Sequence, residues 1–317
     1  MSASPSHLLR LPDLTVDTVK QILALGHAVK KSRETYADAL KQKTLLMIFA
    51  KPSLRTRISF EAGMTQLGGH AIYYDIATSP MGGVGKETIA DSARACTRMV
   101  DLVMARLFEH TQIEEFAANS SVPVINGLTN YTHPCQILAD LMTIEEKKGV
   151  GSLPGRTLAY CGDGNNNVTH SLLYGCAMTG VNIRVACPAG TDYTPLAGVV
   201  ELANDYASKA GSQVLITNDA AEAVSGADVV YTDSWMSYHI PKEQRPSRLA
   251  TFMPFQVTEA LMKLAKPDAV FMNCLPAMRG EEQTAGVVDG PQSIVFDQAE
   301  NRLHAQKAAM LVLLGKA

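Results

Sequence analysis

Six short apolar runs in the second half of the chain limit its fold most: "RTLAYCGD", "VNIRVACP", "SQVLITND", "ADVVYTDS", "DAVFMNCL" and "SIVF", with helical stretches between them. Runs this continuously apolar are buried on both faces, and strands that alternate with helices join in parallel through crossovers. The expectation is a parallel sheet with helices on both sides. Such sheets bind ligands beyond the carboxyl ends of their strands. Three of these ends carry polar or reactive residues: "GDGNNN", "DSWMSYH" and "NCLPAMRG".

The first half alternates in the same way. "KTLLMIFA", "GHAIYYD", "DLVMARLF" and "VPVINGLT" read as strands. Helical patterns run over residues 13–42, with Val19, Ile22 and Leu23 on one face, over Lys86 to Met99, and onward from Pro134, with Ile137, Leu138, Leu141 and Ile144 at helical spacing. A chain of 317 residues is too long for one small core. The predicted fold is therefore α/β: two doubly wound lobes with a cleft between them, each a mostly parallel sheet flanked by helices. "KKGVGSLPGR" (Lys147 to Arg156) has the charge, glycine and proline of a connection, so the lobes are set at 1–148 and 149–317. A last helix, about 301–314, is apolar on one side and is expected to pack back toward the first lobe.

Net charge is −3, so no global basic field draws in nucleic acid or an anionic membrane surface, and any anion must be held locally. No segment reaches the roughly 18 apolar residues of a membrane span, and "MSASPSHLLRLPDLTVD" lacks the basic and apolar regions of a leader. A soluble, cytoplasmic protein is expected. Six scattered cysteines with no C-x-x-C pair read as reduced thiols rather than a zinc site.

A local anion site is legible in "FAKPSLRTRISFE" (Phe49 to Glu61). Ser53 stands at an N-cap position, after a strand and before a helix with Phe60, Met64 and Leu67 on one face. The first turn of that helix offers unpaired backbone N–H groups and the positive end of the dipole. Arg55 and Arg57 add planar forks that match phosphate oxygens, and Ser53 and Thr56 add hydroxyl donors. The same residues also suit a solvated, arginine-rich first turn. Further on, "THPCQILAD" puts His133 and Gln136 at the start of a helix on neighbouring faces, where a capping role is the plainer reading of a lone histidine.

Taken in order, "SLRTR", "HPCQ" and "CLPAMRG" resemble the signatures S-x-R-T-R, H-P-x-Q and H-C-L-P of the aspartate/ornithine carbamoyltransferase family, and the resemblance spans almost the whole chain. Within the family, "GDGNNNVTHS", "DSWMS", "QVT", "NCLP" and "AENR" are most similar to the ornithine branch. The resemblance implies carbamoyl phosphate bound first on the N-terminal lobe, L-ornithine bound by the C-terminal lobe, and closure around both. It also implies a homotrimer or a multiple of trimers, L-citrulline and phosphate as products, and a place in arginine metabolism.

Carbamoyl phosphate is an acid anhydride, so transfer to an amine needs neither a protein nucleophile nor a metal or cofactor. By the resemblance, Ser53, Leu54, Arg55, Thr56 and Arg57 surround the phosphate, and Arg106, His133 and Gln136 surround the carbamoyl end, where the Arg and His donors act as an oxyanion hole. Arg302 is another contact to carbamoyl phosphate. Cys274 stands beside the side-chain amine as proton acceptor, and with Leu275 also borders carbamoyl phosphate. Asp233 matches the contact to the substrate amines, Asn167 the α-carboxylate contact, and Ser237 with the following Tyr238 the α-amino and carboxylate contacts. Arg106, His133 and Cys274 are thus the catalytic candidates.

Three departures bear on the amine. Tyr238 and His239 stand where the ornithine branch has Met and Gly, Asn273 replaces the histidine of H-C-L-P, and "SPMGGVGKET" (Ser79 to Thr88) lacks the glutamine that the family contributes across a subunit interface. They leave open a related amine, putrescine or an N-acylated ornithine. Two other classes fit less well. "GDGNNN" has Asn167 where a dinucleotide fingerprint needs its third glycine, and a non-catalytic anion-binding protein would not need His133, Gln136, Asp233 and Cys274 together.

Overall fold

The computed structural model describes residues 7–78, 81, 87–237 and 240–317. Two compact units result: unit 1 comprises Met1–Met142 with Glu300–Ala317, and unit 2 is Thr143–Ala299. Along the chain, the elements of the first part are β1 (His7–Leu8), α1 (Val16–Lys31), β2 (Thr44–Phe49), α2 (Leu54–Gln66), β3 (His70–Asp75), α3 (Ile89–Cys96), β4 (Leu102–Arg106), α4 (His110–Ala118), β5 (Val124–Leu128) and α5 (Pro134–Lys148). There follow β6 (Thr157–Cys161), α6 (Asn167–Thr179), β7 (Asn182–Ala186), α7 (Ala197–Ala210), β8 (Val214–Thr217), α8 (Ala220–Val224), β9 (Val229–Tyr231), α9 (Arg245–Phe252), α10 (Glu259–Met262), β10 (Val270–Met272), α11 (Ala285–Val288) and α12 (Val295–Leu313).

Each unit has one five-stranded sheet, in the order β1-β5-β4-β2-β3 in unit 1 and β10-β9-β6-β7-β8 in unit 2, and every strand pair is parallel. Of the interior strands, β4, β5, β6 and β9 are buried along their whole length, β2 after its first residue, and β7 at three of its five positions. That explains why they read as unbroken apolar runs rather than alternating ones. Of the predicted strands, "SIVF" is a correction. Ser293 makes only an isolated bridge to Phe271, and the helix α12 starts at Val295, earlier than the expected 301. So short an apolar run carries no period of its own, and a buried helix start looks the same as a buried strand. The helix expected over 13–42 stops at Lys31; Thr15 caps its start by accepting the Thr18 N–H at 3.1 Å.

Two local devices aim the functional ends. In β4, the register against β5 shifts between Ala105 and Arg106, a bulge at the carboxyl end of the strand. In unit 2, the turn from β6 into α6 is capped by Asn166, whose side chain accepts the Thr169 N–H at 2.8 Å. Gly164 in this turn lies against the loop that follows β7: a Cβ there would fall 2.6 Å from the Tyr193 carbonyl oxygen and 2.8 Å from Pro195 Cδ. Gly164→Ala is therefore expected to lower unfolding free energy by about 1–3 kcal/mol, read from denaturant melts. Unchanged stability would show that the turn relaxes without cost.

Candidate active site

In unit 1 the sheet's carboxyl ends and two helix starts bring a set of cations together. Ser53 caps α2, its side chain accepting the Thr56 N–H at 3.4 Å, so the first-turn N–H groups of α2 point out of the sheet end as the sequence implied. Thr56 is 1% exposed, and its hydroxyl accepts from Arg302 Nη2 at 3.2 Å. Arg302, from α12, also donates to Gln136 Oε1 at 2.8 Å and to Gln306 Oε1 at 2.9 Å. Gln136 in turn donates to Asp140 at 2.8 Å, and Gln306 to Ser59 at 2.7 Å. One guanidinium thus joins α2, α5 and α12.

His133, just before α5, is 4% exposed. Burial first, then the charges of Arg302, Arg106, Lys51 and Arg55, hold its imidazole well below the usual histidine range. It is neutral at physiological pH and able to donate a hydrogen bond without carrying charge. Arg106 itself is 4% exposed at the end of β4. Lys51, which the sequence reading passed over although it adjoins "PSLRTR", is buried with its ammonium 4.8 Å from the Phe108 ring centre. Its pKa is pulled down to about 8 by burial and by Arg106, against the attraction of Glu109.

Arg57 is not brought into this cluster. Its Nε donates to Glu61 at 3.1 Å, and its guanidinium lies 3.9 Å from the Tyr73 ring centre, in an exposed side chain. Successive helix residues face about 100° apart, so of the two arginines in "SLRTR" only Arg55 acts on His133. The Leu54 side chain is 71% exposed, which leaves it only its backbone N–H to offer an anion.

Unit 2 gathers its candidates at the carboxyl ends of β6, β9 and β10. Asn167 is the first residue of α6. Asp233 follows β9, and Cys274 follows β10; the thiol donates to Asp233 Oδ1 at 3.0 Å. Ser237 lies on the same loop as Asp233, and its carbonyl accepts the Ile240 N–H at 2.9 Å. Tyr238 and His239 lie outside the described residues, as does most of Ser79 to Thr88.

Asn273 is fully buried in an amide network. Its side-chain oxygen accepts the Leu275 N–H at 2.7 Å, its Nδ2 donates to Gln283 at 3.0 Å, and its backbone N–H donates to Gln298 at 3.0 Å. The loop bearing Cys274 and Leu275 is thus fixed by groups that do not titrate. Close by, Glu282 is fully buried. One of its oxygens accepts the Met278 N–H at 2.7 Å and the other has no hydrogen-bond partner among the described residues. Burial, helped by the negative charges of Asp233 and Glu281, pushes its carboxyl up to about 7. The unfolded chain would release this proton near 4.3, so the fold binds it more tightly, and stability is lost as pH rises from about 4.3 through 7. Between pH 5 and pH 8 the wild-type Tm is expected to fall by about 4 °C more than that of Glu282→Gln, which cannot titrate there. Parallel Tm profiles would remove Glu282 as the source.

Comparison with known proteins gives two family matches. Residues 6–146 match the aspartate/ornithine carbamoyltransferase carbamoyl-P binding domain, and residues 154–313 match the Asp/Orn binding domain of the same family. The chain is 48% identical over 309 residues to ornithine carbamoyltransferase of Anoxybacillus flavithermus, covering 96% of each chain. It is 45% identical to the catabolic ornithine carbamoyltransferase of Halobacterium salinarum, covering 98% of this chain and 99% of that one. Among solved structures, ornithine carbamoyltransferase from Pyrococcus furiosus superposes with a TM-score of 0.93 at 45% identity, covering 99% of both chains.

Proposed function

Because the chain belongs to the aspartate/ornithine carbamoyltransferase family, we propose that it transfers the carbamoyl group of carbamoyl phosphate to the side-chain amine of L-ornithine, giving L-citrulline and phosphate. The observation that carries this reading is the group of Lys51, Arg55, Arg106 and Arg302 around a neutral His133, beside the open first turn of α2.

Residues 1–148, with the terminal helix, are assigned to carbamoyl phosphate, and 149–317 otherwise to the amine. The N–H groups of α2, the hydroxyls of Ser53 and Thr56 and the guanidiniums of Arg55, Arg106 and Arg302 meet the phosphate. Arg106, His133 and Gln136 meet the carbamoyl end. A neutral His133 and Arg106 donate to the carbonyl oxygen as charge grows on it. The amine nitrogen forms its bond to the carbonyl carbon, the bond from that carbon to the bridging oxygen breaks, and phosphate leaves with the electron pair. The attacking ammonium, with an ordinary pKa near 10.4, must first lose a proton. Cys274 is assigned as the acceptor of that proton, and Asp233, in contact with it, as the carboxylate facing the substrate's amines. Asn167 and Ser237 are assigned to its α-carboxylate and α-amino groups.

L-Ornithine suits this set better than the related amines. Putrescine has no carboxylate for Asn167, and buried polar groups left unpaired cost about 1–3 kcal/mol each. An N-acyl group removes the α-ammonium charge that faces Asp233 and Ser237. A colorimetric ureido assay with carbamoyl phosphate and a panel of amines tests the assignment: L-ornithine should exceed putrescine and N-acetylornithine by at least about tenfold in kcat/KM. Equal turnover of either would overturn the amine while leaving carbamoyl transfer in place.

We assign the reaction to arginine biosynthesis, since passing a carbamoyl group from an anhydride to a stable ureido product runs downhill toward citrulline. Six cysteines, none in a disulfide, suit the reducing cytoplasm, and no helix among the described residues is long and apolar enough to cross a membrane. A homotrimer is supported by an apolar face on unit 1. Leu54 and Ile58, one helical turn apart on α2, are 71% and 55% exposed, and Ile72, on the sheet's edge strand β3, is 40% exposed. Sedimentation of Ile58→Glu at protomer mass would agree with this face being the interface.

A further inference from the structure

Arg248, on α9, lies among none of the candidate residues, yet it bonds to both loops that present the amine contacts. It is 8% exposed. Its Nε donates to the Trp235 carbonyl at 2.7 Å, midway between Asp233 and Ser237, and its Nη2 donates to Asp163 Oδ2. Asp163 builds the turn that ends in Asn167. Its other carboxylate oxygen accepts the Asn165 N–H at 3.0 Å, and its carbonyl accepts from the Asn166 side chain at 3.0 Å and from the Thr169 hydroxyl at 2.8 Å. The guanidinium packs 4.8 Å from the Phe252 ring centre and 5.8 Å from that of Tyr193. The same Phe252 stacks on Trp235 at 5.8 Å, and Trp235 in turn presses on Gly162, where a Cβ would lie 3.1 Å from the indole nitrogen. That nitrogen has no hydrogen-bond partner among the described residues, so stacking and the Arg248 bond to the carbonyl fix the indole.

We infer that Arg248 is a positioning residue for the amino-acid substrate: its planar fork holds the "GDGNNN" turn and the "DSWMS" loop at the spacing at which Asn167, Asp233 and Ser237 can act on one ligand. This rests on reading unit 2 as the amine-binding unit. A buried ion pair contributes little net stability but fixes geometry strictly, because either charge left alone in the interior is costly. Lysine cannot replace it, since a single ammonium cannot span a carboxylate and a carbonyl in the fixed directions of the guanidinium.

Arg248→Lys and Asp163→Asn test the inference. Trp235 is the chain's only tryptophan, so its emission reports the loop directly without substrate. In both variants the emission is expected to move to longer wavelength. KM for L-ornithine should rise at least about tenfold, while carbamoyl phosphate affinity, measured by calorimetry, stays within about twofold. The double variant should be no worse than the poorer single one, as expected for two halves of one contact. Unchanged emission with unchanged ornithine KM, additive losses in the double variant, or losses of both substrates in step with Tm would overturn it. If the wild type carbamoylates a different amine, the same KM comparison is made with that amine. If it carbamoylates none, the functional reading fails, and the emission spectra alone decide the clamp.

Discussion

Arg106→Leu is expected to lower kcat/KM by about 10²–10³-fold, the loss typical for one oxyanion-hole donor, without a matching loss of folded protein. Arg106 ends β4 at a bulge, is 4% exposed, and acts electrostatically on both His133 and Lys51. Leucine keeps apolar bulk at the strand end but leaves no donor for the carbonyl oxygen. The substitution has a second signature. Lys51 sheds its proton near pH 8, so carbamoyl phosphate affinity should weaken as pH rises through that value. Removing the neighbouring cation raises the Lys51 pKa, and the alkaline limb should move to higher pH. Arg57→Ala is the control: its side chain is occupied by Glu61 and Tyr73, and turnover should stay within about threefold of wild type. Near-normal kinetics for Arg106→Leu, or an equal loss in the control, would displace the oxyanion assignment.

Asp233→Asn should lower kcat/KM for L-ornithine by about 10²-fold while leaving carbamoyl phosphate binding unchanged. The carboxylate accepts the Cys274 thiol at 3.0 Å, and an amide of the same shape supplies no charge for the substrate's ammonium groups. Hydrogen bonds to charged groups contribute about 1.5–3 kcal/mol each, so one such bond covers the expected loss. Calorimetry with carbamoyl phosphate separates the outcomes. A fall in both affinities would mean that Asp233 supports the fold instead of the amine, and an unchanged ornithine KM would remove it from the site.

What could be read from the chain was local. The Ser53 cap, the helix begun by Pro134 and the buried strands of both sheets each follow from a few adjacent residues. "SIVF" failed because its surroundings, not its composition, decide between strand and helix. The two residues of β1 carry too little pattern to stand out, and they form a strand only by pairing with β5. At the site, the arginines of "SLRTR" were legible as a set, but which of them faces His133 depends on the turn of α2. Arg248 and the Asn273 amide network could not be read, because their roles come from partners distant in sequence, Asp163 for Arg248 and Gln283 and Gln298 for Asn273; Glu282 could not, because its role comes from full burial, which the sequence does not show. Lys51 is the exception. Its position next to a predicted anion-binding helix start was signal enough to nominate it.

The return of α12 to unit 1 also sets an order of events during synthesis. On the ribosome, the strands and helices of Met1–Met142 emerge first, yet Arg302, which joins Thr56, Gln136 and Gln306, emerges only after all of unit 2. Until then, the buried faces of α2 and α5 lack their covering helix, and the first unit can be no more than an incomplete intermediate of the kind that chaperones hold. A nascent chain stalled before Glu300 would therefore be open to proteolysis in a segment that the finished protein protects.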